Sequence, residues 1–343
     1  MRAIVAHAAK DLRIETVTGA ELGPTDIRVR IGVGGICGSD LHYYNHGGFG
    51  LVRLQEPMIL GHEIAGVVEA VGSAARRVKP GDRVAVNPSR PCGKCRYCLE
   101  GLANQCLDMR FYGSAMRFPH VQGAFRETLV CEESQAHIVA DDVTLAEAAM
   151  AEPLAVCLHA ARRAGSLLGK RALVAGSGPI GALAVVAARR AGAAEIVVTD
   201  VADGALRFAR AAGADRTINV AADPDALAAY GADKGAFDAM FEASGSEAAL
   251  RSGLDVVRPR GVIVQIGLGG EIKMPMNALV GKELELRGTF RFHQEFTLAV
   301  ELLGKRLVDV KPLISATLPF TQAIEAFELA GDRTRSMKVQ LAF

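Results

Sequence analysis

The pattern of apolar and polar positions changes twice along the chain. Up to about residue 150, short Val/Ile runs alternate with polar positions and are punctuated by Gly. Examples are IRVRIGVGGI from Ile27, HEIAGVVEAVG from His62, and KPGDRVAV from Lys79, which reads as a turn entering a strand. A period of two bounded by turn residues predicts β-strands. From near Glu152 the pattern becomes Ala-rich helices alternating with short apolar strands. RALVAG is followed by a helix from Pro179 to Ala191, then EIVVTD, a helix from Gly204 to Ala212, RTINV, and later FDAMFEAS and GVIVQIG. That alternation predicts βαβ units and a parallel sheet. After Leu286 the pattern shifts again. Residues 296–303 read as a helix and KVQLAF as a closing strand, a tail too small for its own domain and expected to return to the first.

A chain of 343 residues suits two domains, and 50% hydrophobic content can fill two cores. With 37 Gly and no Trp, the composition favours an α/β protein over a β-sandwich. The net charge is +1 with no Lys/Arg-rich run, so neither nucleic acid nor an anionic membrane is an expected partner. The first residues, MRAIVAHAAKDLRIE, lack the apolar core of a signal peptide, and the apolar stretch 180–198 is broken by Arg189, Arg190 and Glu195. A cytoplasmic protein without a membrane span is therefore expected.

Residues 172–181, ALVAGSGPIG, place Gly176, Gly178 and Gly181 between an apolar strand and a helix that opens with Pro179 and Ile180. Gly176 would permit the tight turn, Gly178 would let the backbone approach a pyrophosphate, and Gly181 would allow close helix–strand packing. The helix N-terminus would face the phosphates. Asp200, 19 residues beyond Gly181, closes the next strand. Its carboxylate would accept from a ribose 2′-hydroxyl and repel a 2′-phosphate, so NAD is expected, with NADP left open.

Seven Cys occur, and Cys92, Cys95, Cys98 and Cys106 fall within fifteen residues. Four thiolates so spaced can close a tetrahedral zinc shell, with iron–sulfur ligation as the competing metal. A closed shell leaves no open position, so this site is expected to be structural. A second set is dispersed: Cys37, His62 with Glu63, and Glu152. A catalytic zinc needs about three protein ligands and one open position, but spacing alone does not pair these residues.

The motifs Cys37-Gly38-Ser39-Asp40-x-His42, Gly61-His62-Glu63-x-x-Gly66, the four-Cys cluster, Glu152-Pro153-Leu154 and the glycine loop together resemble the zinc-dependent medium-chain alcohol and polyol dehydrogenases, across essentially the whole chain. CGSDLHYY, EPLAV and GTFRF are most similar to the sorbitol dehydrogenase branch, and FYGSAMRFPHVQGAF to its L-idonate 5-dehydrogenases. The resemblance implies a GroES-like, mostly-β catalytic domain over 1–150, rejoined by 290–343, and a Rossmann doubly wound domain over 151–289. It implies two zinc ions per chain. The catalytic one would be held by Cys37, His62 and Glu63, with Glu152 touching it or replacing Glu63. Asp40 would hydrogen-bond the far nitrogen of His62. Ser39 would take the substrate proton and pass it to His42. Tyr43, Arg117 and Arg291 are the candidate substrate residues. Arg110 is a further candidate for a carboxylate end. Arg291 has a counterpart in neutral-polyol relatives and so does not by itself signal an acid substrate, and Arg117 is favoured because it lies in the idonate-like stretch. Ala205 stands where polyol relatives often carry a basic residue. The implied substrate is a sugar acid or polyol, L-idonate foremost, with sorbitol, xylitol or threonine as alternatives. A homotetramer or homodimer is implied. A non-enzymatic zinc protein is the remaining alternative, but it would be expected to have lost Cys37, His62 or the glycine loop, and all are present.

Overall fold

The computed structural model describes residues 1–343. Its first half is built on a mostly antiparallel sheet whose centre is the strand Asp26–Gly35. Ile27, Val29, Ile31 and Val33 alternate into the core, as the period-two pattern requires. This strand pairs with Glu63–Val71 and Thr128–Glu132 in the same half, and with Lys338–Ala342 from the end of the chain. The tail is thus hydrogen-bonded into the first sheet, and Ile314–Pro319 adds a parallel strand outside it.

The second sheet has six parallel strands in the order Arg216–Asn219, Glu195–Asp200, Arg171–Ala175, Phe237–Glu242, Val257–Gln265, Glu285–Gly288. Numbered along the chain, this is 3-2-1-4-5-6, the doubly wound Rossmann order. Residues 172–175 and 196–199 are buried without alternation because helices cover both faces. The direction of winding reverses between Arg171–Ala175 and Phe237–Glu242, and ligands of such sheets bind at that reversal.

The helix Ala151–Ala164 joins the two halves. Its buried residues, among them Leu154, Ala155 and Leu158, share one continuous core with Val33, Ala65 and Ala85 of the first sheet and Ala172 and Val174 of the second. Helix ends lie within a residue of the expected ones: Pro179–Arg190, Asp203–Ala211 and Glu295–Gly304. No helix is long and apolar enough to cross a membrane.

Candidate active site

Strand register assembles the first cluster. Gly35 pairs with Glu63 on one side and Gln340 on the other. A Cβ on Gly35 would lie 2.2 Å from Glu63 Oε2, so only glycine leaves room for that carboxylate. Two residues before Gln340, Lys338 reaches the same space. Its ammonium donates to Glu63 Oε1 at 2.8 Å, to Oε2 at 2.7 Å and to the Ile36 carbonyl at 3.1 Å. Burial works against the ammonium, but Glu63 and Cys37 more than offset it and raise its pKa.

Cys37 caps the helix Gly38–His46, and His62 immediately precedes Glu63. The Cys37 thiol, a His62 ring nitrogen and a Glu63 oxygen lie within 4.8 Å of one another. Burial, reinforced by Glu63, pushes the Cys37 thiol up to about 11. Burial pushes Glu152, in the first turn of Ala151–Ala164, up to about 8, with Glu63 and Cys37 adding and His62 opposing. These donors are costly to charge by themselves, and a divalent cation among them would reverse that cost. His62 Nδ1 is buried without a hydrogen-bond partner. A thiol, an imidazole and carboxylates suit zinc.

Asp40 does not hydrogen-bond His62: the separation is 3.8 Å. Its carboxylate instead accepts from the Cys37 amide at 3.0 Å and the Gly61 amide at 3.1 Å. It therefore ties together the two loops that carry Cys37 and His62.

Ser39 is half-buried beside the Cys37 thiol, and His42 is exposed one turn along the same helix. Burial first, then His46 and Arg333, lowers the pKa of His42, which favours the neutral imidazole. Tyr43 is 1% exposed, and its hydroxyl oxygen accepts from the Ala115 amide at 3.0 Å.

The arginines part company. Arg117 lies at the surface with its guanidinium on Asp108, and Arg110 is exposed on a two-residue strand. Arg291 is half-buried with φ +52°, its guanidinium 4.0 Å from the centre of the Phe111 ring and 4.8 Å from that of Phe290. No carboxylate reaches salt-bridge distance, and its hydrogen-bond partner is Met116 Sδ at 3.3 Å. Burial brings its pKa down to about 10, with Glu152 and Tyr43 near enough to oppose the shift.

The second cluster is local. Cys92, Cys95, Cys98 and Cys106 turn their sulfurs within 4.8 Å of one another, and none forms a disulfide. Sulfur separations of 3.6 and 4.0 Å bracket the ~3.8 Å of a tetrahedron with bonds of about 2.3 Å. Backbone N–H groups of Cys98 and Leu107 pull the Cys95 thiol down to about 6 and those of Lys94 and Cys95 lower Cys92, while burial raises Cys98 and Cys106.

The glycine loop sits at the sheet's reversal point. Gly176 has φ +90°, and a Cβ there would strike Ser244. A Cβ on Gly181 would lie 1.9 Å from the Gly176 carbonyl, whereas at Gly178 it would meet open space. Gly178 caps the helix Pro179–Arg190, and Ile180 accepts from the Cys157 thiol through its carbonyl. Asp200 accepts from the Ser177, Val201 and Ala202 amides at 2.6, 2.7 and 3.0 Å. A turn with open approach, a helix N-terminus and a strand-end carboxylate fit a dinucleotide. Glu242, wholly buried at the end of the fourth strand, braces the neighbouring loop by accepting from the Ser244 and Gly245 amides and the Gln265 side chain. Sequence reasoning missed Glu242 and Lys338, which carry no motif of their own.

A Rossmann sheet beside a closed four-thiol cluster and an open Cys/His/Glu cluster defines a zinc-dependent dehydrogenase. The alcohol dehydrogenase GroES-like domain family matches residues 23–141, and the zinc-binding dehydrogenase family matches residues 179–305. The chain belongs to the zinc-dependent medium-chain alcohol and polyol dehydrogenases, in the sorbitol dehydrogenase branch. It is 48% identical to L-idonate 5-dehydrogenase (NAD(P)(+)) of Escherichia coli (strain K12), over 92% of this chain and 91% of that protein. It is 36% identical to sorbitol dehydrogenase of Homo sapiens, over 95% and 91%. The crystal structure of the Escherichia coli L-idonate 5-dehydrogenase superposes with a TM-score of 0.94 at 44% identity, covering 100% of this chain and 98% of that one.

Proposed function

We propose that this protein oxidises the C5 hydroxyl of L-idonate to give 5-keto-D-gluconate, with NAD as acceptor and NADP as a second cofactor. Cys37, His62 and Glu63 would hold one zinc, with Glu152 beside it, and Cys92, Cys95, Cys98 and Cys106 a second. When bound, the first zinc supplies a Lewis acid that lowers the pKa of the substrate hydroxyl, and NAD supplies the hydride acceptor. Ser39 accepts the hydroxyl proton, and neutral His42 passes it to solvent. Gly176, Gly178, Pro179, Ile180 and Gly181 cradle the pyrophosphate, and Asp200 uses its remaining lone pairs on the ribose. Ala205 is buried and Arg207 exposed, so no basic side chain stands five positions after Asp200; the reading of NADP as a second cofactor rests on the relative named L-idonate 5-dehydrogenase (NAD(P)(+)).

The observation that carries the acid substrate is the 48% identity to L-idonate 5-dehydrogenase (NAD(P)(+)) of Escherichia coli. The guanidinium of Arg291, half-buried, without a carboxylate partner, and within electrostatic reach of Glu152 and Tyr43, is the group placed to meet its carboxylate, although it lies in a motif shared with the sorbitol branch. A buried cation without a counterion is costly, and a substrate carboxylate would relieve that cost. Arg117, already engaged by Asp108, is the weaker candidate. Arg291→Gln should weaken L-idonate use by about 1.5–3 kcal/mol, the range for hydrogen bonds to charged groups. Arg117→Ala should change it little. Equal loss on L-idonate and sorbitol would remove the carboxylate contact, and wild-type turnover of sorbitol without L-idonate would remove the substrate.

The proposed domains are 1–150 with 290–343, and 151–289, supported by the pairing of the last strand with Asp26–Gly35. The resemblance supports a cytoplasmic homodimer or homotetramer.

A further inference from the structure

The segment around the four-thiol cluster supplies the seat of Arg291. The turn Ala103–Gln105 ends at Cys106, and within it Asn104 is 8% exposed. Its side-chain amide donates to the Phe290 carbonyl at 3.0 Å, across 186 positions. That carbonyl belongs to the peptide that leads into Arg291, whose φ of +52° is uncommon for a side chain with a Cβ. Such a conformation persists only where its surroundings hold it. Five residues after Cys106, the ring of Phe111 lies under the guanidinium, and it also sits 5.4 Å from the His62 ring. Met116 completes the seat. Of these contacts, Asn104 alone grips the backbone.

We propose that Asn104 is a positioning residue: by fixing the Phe290 carbonyl it holds Arg291 in its left-handed conformation, with the guanidinium between Phe111 and Phe290. The four-thiol lobe thereby sets the distance between the reacting hydroxyl and the far end of the substrate. The consequence for catalysis rests on the reading of Arg291 as carboxylate anchor. The positioning itself does not.

Asn104→Asp keeps the shape but replaces the donor with an oxygen facing the Phe290 carbonyl, and Asn104→Ala removes the group. Either variant serves if the other does not fold. Arg291 modification by phenylglyoxal is followed by peptide mass mapping on zinc-loaded protein, with zinc content measured alongside. Arg291 should react several-fold faster in the variants, while two zinc ions per chain are retained. KM for L-idonate should rise about five- to tenfold, as for the loss of one hydrogen bond, with kcat nearly unchanged. In an Arg291→Gln background, the Asn104 substitution should add nothing. Unchanged Arg291 reactivity would overturn the proposal, as would a fall in melting temperature with no KM split while Arg291→Gln does raise the L-idonate KM. If Arg291→Gln itself leaves that KM unchanged, the anchor reading fails, and the modification rate still decides whether Asn104 positions Arg291.

Discussion

Lys338 Nζ lies 2.8 and 2.7 Å from the two carboxylate oxygens of Glu63, across 275 positions of sequence, with both side chains almost wholly buried. Removing one partner of such a pair leaves the other charged without compensation. Lys338→Met should cost about 3–5 kcal/mol of stability, read as a lower urea midpoint of the metal-free protein. Glu63→Gln in the same chain should recover part of the loss. A midpoint equal to wild type for Lys338→Met would show that the pair contributes nothing to stability.

The two metal clusters should separate by variant. Wild type should carry two zinc ions per chain, and Cys37→Ala and Cys95→Ala one each. Cys37→Ala should lose turnover and stay folded, because the first cluster keeps an open position. Cys95→Ala should chiefly lose stability, because the second is closed. Elemental analysis finding one zinc or none in fresh, fully active protein would contradict this.

Asp200 holds three amides at the end of the second strand, and the proposed function gives its carboxylate the cofactor ribose. NAD should therefore give the higher kcat/KM, and Asp200→Ala should narrow the gap to NADP. Equal or better wild-type efficiency with NADP would remove the carboxylate from the discrimination.

His137, on the edge strand Ala136–Ile138, packs its ring 5.0 Å from that of Phe296. Burial, with Arg77 adding, brings its pKa down to about 4. An unfolded His titrates near ~6.5. Below that pH the unfolded chain takes a proton that the folded chain refuses. The contribution is therefore intact above about pH 6.5 and lost as pH falls toward 4, by at most ~3 kcal/mol. His137→Phe should flatten the stability profile between those limits. A variant profile parallel to wild type would place the acid sensitivity elsewhere.

Legibility in the sequence followed contact range. The glycine loop, Asp200 and the four-Cys cluster were readable because their parts lie within one supersecondary unit, where spacing is geometry. Lys338 was not, because a lysine in KVQLAF looks like any exposed strand residue until the strand's neighbours are known. Asn104 and Glu242 are hidden for the same reason. Asp40 shows the opposite failure: the family pattern suggested His62, but a helix N-terminus offers an Asp at that position its own cap amide, and the amide is closer. Arg117 pairs with Asp108, nine residues away, a contact that its place in an idonate-like stretch did not announce.

The insertion of the final strand beside Asp26–Gly35 imposes a schedule on biosynthesis. Lys338 bonds the Ile36 carbonyl 302 positions earlier. At translation speeds of about 5–20 residues per second, the strand bearing Gly35 waits roughly 15–60 s for its neighbour. Through that interval the nascent chain carries an open sheet edge and the Glu63 carboxylate without its cation.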